Sequence, residues 1–127
     1  PAGLEAAIRP DPLVQEVVVI GDCKAYIAAL ISLDEAMLPG WLQRHGLEKM
    51  TVAEAAQHPE VLAHVGALVK RANERVSSVE AIRKFRIVPR SLTEAEGEFS
   101  ASMKVRRHIV VDHFSALVDE LYPSRDR

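Results

Sequence analysis

An α+β fold, a small β-sheet covered by amphipathic helices, is what this sequence predicts, and three patterns predict it. Two β-branched or aromatic-containing runs near the start, at 14–20 and 26–33, flank a short turn-forming stretch. Apolar residues then recur at helical spacing through the middle of the chain. A further short strand and a last helix follow. The chain has 127 residues, 48% of them hydrophobic and 27% charged, which is the size and balance of one globular domain rather than of a disordered or membrane chain.

Leu4, Ala7 and Ile8 give one apolar face to a helix of about two turns, which Pro10 and Pro12 end because proline lacks an N–H and clashes with the preceding turn. Val14 to Ile20 and Tyr26 to Leu33 read as a β-hairpin around Gly21 to Ala25. The second arm is almost continuously apolar, as a central strand covered on both faces should be. Asp34 is placed to cap a helix carrying Met37, Leu38, Trp41 and Leu42, with Gly46 ending it. Thr51 and Glu54 have capping-box spacing for a short helix through Ala56. From Pro59 to about Ser78, Val61, Leu62, Val65, Leu68, Val69, Ala72 and Val76 form one stripe, predicting the longest helix. Phe85 and Ile87 alternate with Arg86 and Val88 in a third strand closed by Pro89. Residues 90–102 are polar, with Gly97 at a turn. After Lys104, the positions Val110, Phe114, Leu117, Val118 and Leu121 predict one closing helix ending near Tyr122-Pro123, with a frayed tail.

Several functional classes lose support at once. The formal net charge of -2 offers no general attraction for nucleic acid or anionic membrane. Cys23 is the single cysteine, which excludes an internal disulfide and a cysteine-rich zinc site and fits a reducing, cytoplasmic setting. It lies in a turn with no histidine beside it, as an inert surface thiol would. No apolar run nears the roughly 18 residues of a membrane span, and the start lacks the basic-then-apolar layout of a secretory signal. The chain begins without Met, as a piece of a longer protein would. The histidines, His45, His58, His64, His108 and His113, never form the i, i+4 pair of a helical zinc site, so no metal site is expected. His108 and His113 flank Asp112 but spread around the last helix, which assigns them a structural role. No glycine-rich phosphate loop occurs, and no cofactor-binding residue is assigned.

The remaining chemistry is basic. Arg83, Lys84, Arg86 and Arg90 surround the third strand, Lys104, Arg106 and Arg107 open the last helix, and Glu94, Glu96 and Glu98 balance them. Such a run is ordinarily a solvated edge. Lys104 stands apart, because it follows a Gly-turn and the small-residue loop Ser100-Ala101-Ser102 and immediately precedes a helix, so that its ammonium can project from an exposed tip. There it suits an incoming anion, as a point charge that orients a carboxylate and stabilises the charge developing as that carboxylate attacks a phosphate.

Taken in order, VVVIGDCKAYIAALISLD, LPGWLQRHGL, ANERVSSVEAIRKFRIVP, EGEFSASMKVRRHIV and DHFSALVDELY resemble the C-terminal domain of long-chain fatty-acyl-CoA ligases, members of the adenylate-forming superfamily. The resemblance covers nearly the whole chain. It implies that residues 1–127 are a mobile lid domain, that the large N-terminal ATP- and acyl-binding domain lies upstream, and that Lys104 is the catalytic lysine of adenylation. It implies ATP, CoA and Mg2+ for the intact parent enzyme, fatty acid, ATP and CoA as substrates, the missing N-terminal domain as partner, a parent open to peripheral membrane association, and an inactive isolated chain. Two departures stand out: Ser100-Ala101-Ser102 replaces a Thr-Pro-Thr-like run, and Met103 precedes the lysine where many superfamily relatives have glycine, as in the long-chain branch. The alternative is a free-standing α+β binding module that holds an anionic partner on its basic edge, with nucleic acid disfavoured by the net charge and the few aromatic residues.

Overall fold

The computed structural model describes residues 2–22 and 24–123, so the expectations for Cys23 and the tail lie outside the described residues. A three-stranded mixed sheet organises the chain, in the order β1 (Val14–Ile20), β2 (Ile27–Leu33), β3 (Ile82–Ile87). β1 and β2 form the antiparallel hairpin, and β3 adds parallel to β2, which makes β2 central. The helices between them are α1 (Ala2–Ile8) before the sheet, then α2 (Leu38–Arg44), α3 (Val52–Ala55) and α4 (Pro59–Asn73) in the crossover from β2 to β3. Two short helices, α5 (Arg107–His113) and α6 (Ser115–Leu121), follow the last strand.

Side chains alternate across a strand, and both faces here are apolar. Val17, Val19, Ala29, Ile31 and Leu33 pack on α1 to α4 through Leu4, Ile8, Trp41, Leu42, Val61 and Val65. The opposite face, Val18, Ile20, Ala28 and Leu30, packs on Val110, Phe114, Val118, Leu121 and Tyr122. The result is an α+β domain with helices on both sides of a small sheet, and β2 is apolar throughout because it feeds both cores. Two tyrosines close the second core. The Tyr122 hydroxyl donates to the carbonyls of Ile20 at 3.1 Å and Tyr26 at 2.8 Å, and the Tyr26 hydroxyl donates to the Leu121 carbonyl. Burial above all, with Tyr26 nearby, pushes the Tyr122 phenol up to about 12.

The capping box is present, with Thr51 Oγ1 accepting from the Glu54 amide and Glu54 accepting from the Thr51 amide. Gly46 adopts φ +68° behind α2, the left-handed conformation that glycine takes without steric penalty. Four expectations need correction. Asp34 does not cap α2; its carboxylate accepts from the amides of Ala36 and Met37 and heads a turn that leads into the helix. The longest helix stops at Asn73 rather than near Ser78: the amides of Glu74, Arg75 and Val76 tighten to carbonyls three residues back, and the Asn73 side chain ties this end to the next strand by bonding both backbone groups of Ile82, at 3.0 and 2.9 Å. The strand it meets begins at Ile82 rather than Phe85. The closing helix is broken at Phe114 (φ -112°, ψ 36°), where the amides of Leu117 and Val118 both return to the Phe114 carbonyl and start a new helix.

Candidate functional site

Lys104 lies in a miniature hairpin. Phe99 and Val105 form an antiparallel bridge, the Ser100 amide donates to the Lys104 carbonyl at 2.8 Å, and the Met103 amide donates to the Ser100 carbonyl at 2.8 Å. Ser100 Oγ accepts from the Lys104 amide at 3.1 Å and lies 3.1 Å from Ser102 Oγ. These hydroxyl contacts tie the loop at Ser100-Ala101-Ser102, where a proline would otherwise supply stiffness. Met103 is 59% exposed and takes φ +63°, a conformation that costs a side-chain-bearing residue roughly 1–2 kcal/mol and glycine almost nothing. That geometry explains physically why glycine suits the position before the lysine. The backbone of Lys104 is therefore fixed, while its side chain is exposed and has no hydrogen-bond or ion-pair partner among the described residues.

The neighbouring cations are committed elsewhere. Arg107 donates to Glu5 Oε2 at 3.0 Å, and this largely buried carboxylate also accepts from the Val19 amide, so that pair pins the start of α5 to α1 and β1. The Arg106 amide donates to the Glu98 carbonyl at 2.7 Å, and its guanidinium reaches the Gly97 carbonyl at 3.5 Å. On the basic strand, Arg83 and Lys84 stand over the Tyr26 ring at 5.0 and 5.4 Å, and Arg86 pairs with Glu120 at 3.2 Å. Charged edge strands resist unwanted pairing, and these charges do so while held by partners within the fold.

Glu98 departs most from its expected place among the solvated counter-charges. It is 0% exposed. Its carboxylate accepts from Arg90 through two N–H groups at 2.9 and 2.6 Å, from the Thr93 amide at 2.9 Å, and from His113 Nδ1 at 2.8 Å. Burial pushes the carboxyl up, but the hydrogen bonds from Arg90, His113 and the Thr93 amide outweigh it and hold Glu98 at about 2. Before it, Gly97 turns the chain at φ +76°. Gln15 supports the same region: at the β-bulge between Val14 and Glu16 its amide bonds both the carbonyl and the amide of Leu92, at 2.9 and 2.7 Å, and accepts from Ser32. Neither residue carries a signal in the sequence, because Glu98 reaches partners 8 and 15 positions away and Gln15 one 77 positions away. The structure places His113 at Glu98, in the structural role expected of it, and leaves His108 exposed. Among the described residues no group of three or more His, Cys, Asp or Glu side chains gathers to hold a metal, and no helix is long and apolar enough to cross a membrane.

Residues 1–126 match the family described as the AMP-binding enzyme C-terminal domain. The chain belongs to this family. Similar to this chain are the long-chain-fatty-acid–CoA ligase FadD15 of Mycobacterium tuberculosis, 42% identical over 96% of this chain and 20% of its own length, and the long-chain-fatty-acid–CoA ligase ACSBG2 of Gallus gallus, 26% identical over 96% of this chain and 18% of its own. The chain thus spans about a fifth of these relatives. Among solved structures, the A-PCP didomain of carboxylic acid reductase from Segniliparus rugosus in complex with AMP superposes with a TM-score of 0.70 at 23% identity, over 97% of this chain and 16% of that one. At that identity the match speaks for the fold, the α+β C-terminal domain of adenylate-forming enzymes.

Proposed function

We propose that this domain is the mobile C-terminal lid of an AMP-forming long-chain fatty-acid–CoA ligase, and that Lys104 is the residue it delivers to the adenylation site. One observation carries the reading: Lys104 projects from a hairpin whose backbone is held by hydrogen bonds, and its side chain has no partner among the described residues. Family membership and the names of the relatives supply the context.

In the first half-reaction the fatty-acid carboxylate attacks the α-phosphate of ATP, forming acyl-adenylate and releasing pyrophosphate. The ammonium of Lys104 orients the attacking carboxylate and offsets charge that builds on the phosphoryl oxygens, where a preorganised cation is worth far more than in water. In the second, the thiol of CoA attacks the acyl carbonyl and AMP leaves. Lys104 has no part in that step, and hinge motion between the two presents a different face of the domain. The N-terminal domain is the partner, fatty acid, ATP and CoA are the substrates, Mg2+ accompanies the triphosphate in the parent, and the chain alone is inactive. The reading carries a cytoplasmic location with it.

Lys104→Ala in the intact ligase tests this. Acyl-adenylate formation should fall about 100-fold or more, in line with the loss of one preorganised charge-stabilising group, while thioester formation from supplied adenylate stays near its original rate. Equal losses in both half-reactions would remove Lys104 from the adenylation step.

A further inference from the structure

We infer that Glu98 is a positioning residue for Lys104, a buried carboxylate that aims the lysine hairpin without touching substrate. The inference rests on the adenylation reading of Lys104 given above.

Glu98 immediately precedes Phe99, the first residue of the bridge from which the hairpin springs, and its carbonyl accepts from Arg106, just beyond the bridge's other member, Val105. Both strands of the stem therefore start from this one residue. Its side chain is referenced to two segments distant in the chain: the loop beyond β3, through Arg90 and the Thr93 amide, and the end of α5, through His113. Arg90 also lies 4.9 Å from the Phe114 ring, so the same cluster holds the break between α5 and α6. A tilt at Glu98 moves the whole stem, and the long lysine side chain enlarges the displacement at its ammonium.

Energetics point the same way. Replacing a buried ionic cluster by apolar residues is often neutral or stabilising, so stability alone is a weak reason for a carboxylate at this place. Charge-assisted, bidentate bonds fix direction as well as distance. Reacting groups need their positions held within about 0.5 Å, and a misplacement of about 1 Å costs roughly 100-fold in rate.

The experiment compares both half-reactions in the intact ligase with palmitate. Glu98→Gln keeps the shape and removes the charge, and should slow acyl-adenylate formation about 10- to 100-fold through the maximal rate, with KM for ATP and palmitate and thioester formation from supplied adenylate within about twofold. Combined with Lys104→Ala it should add nothing to the loss from Lys104→Ala alone, since a hairpin without its lysine has nothing left to aim. Should the Gln variant fail to fold, the half-exposed His113 carries the same test: His113→Ala slows adenylation, and His113→Asn, whose amide can donate where Nδ1 does, restores most of it. Additive losses, equal loss in both half-reactions, or His113→Asn no better than His113→Ala would overturn the positioning role. A normal rate in Glu98→Gln alongside a slow Lys104→Ala removes the positioning role alone, whereas a normal rate in Lys104→Ala removes the lysine reading and this inference with it.

Discussion

Acid should weaken this domain through Glu98 in a predictable window. The folded carboxyl ionises at about 2 against an ordinary 4.5, and at about 1.4 kcal/mol per pH unit that difference amounts to roughly 3 kcal/mol. The sign follows from the direction: a carboxyl depressed in the folded state contributes fully above its unfolded value, so the stabilisation is present at pH 7 and lost as pH falls from about 4.5 toward 2. At pH 3 about 1 kcal/mol should remain. Glu98→Gln mimics the protonated side chain at every pH. Urea unfolding of the wild-type chain and the variant should therefore show a gap of about 3 kcal/mol at pH 7 that narrows to about 1 kcal/mol at pH 3. A gap that is constant across that range, or that widens in acid, would refute the argument that the Arg90–His113–Thr93 cluster holds an ionised Glu98.

Three further outcomes follow from particular contacts. Met103→Gly should raise stability by about 0.5–1 kcal/mol in thermal unfolding by releasing the φ +63° strain, whereas Met103→Val, β-branched at the same φ, should lower it. Gln15→Ala should cost about 2 kcal/mol, because the Leu92 backbone and the buried Ser32 hydroxyl lose their amide partner, and hydrogen exchange at the Leu92 amide should accelerate. In an alkaline absorbance titration the Tyr122 phenol should ionise near 12, and Tyr122→Phe should delete that late step while costing about 1 kcal/mol for the hydroxyl's bonds to Ile20 and Tyr26.

The hairpin arms, the capping box at Thr51 and the burial of β2 on both faces were legible in the sequence because each depends on residues close together in the chain. Where the reading overran, a distant partner had intervened. Val76 extends the apolar stripe of α4 and packs against the core, yet by then the chain has tightened into i→i−3 turns, where the Asn73 side chain anchors it to Ile82. The stripe from Val110 to Leu121 matches one continuous helix equally well, and nothing local marks the break at Phe114, where His113 is drawn to Glu98 and Arg90 stacks on the ring. The site divides in the same way. The exposed position of Lys104 was legible from the turn, the small residues and the helix around it. Glu98 and Arg90 read as ordinary surface charges, and His113 as a structural histidine with no partner in view, until the fold brought them together.

Chemical rescue measures directly the role proposed for Lys104, a positive charge that this domain delivers to acyl-adenylate formation. Lys104→Cys in the intact ligase should be slow in adenylation, and treatment with bromoethylamine, which rebuilds an ammonium of nearly lysine length on the thiol, should restore much of the rate. A neutral alkylating reagent should not, and Lys104→Ala given the same treatment controls for Cys23 and other thiols. Recovery confined to the aminoethylated protein is the predicted result; no recovery, or equal recovery with the neutral reagent, would contradict it.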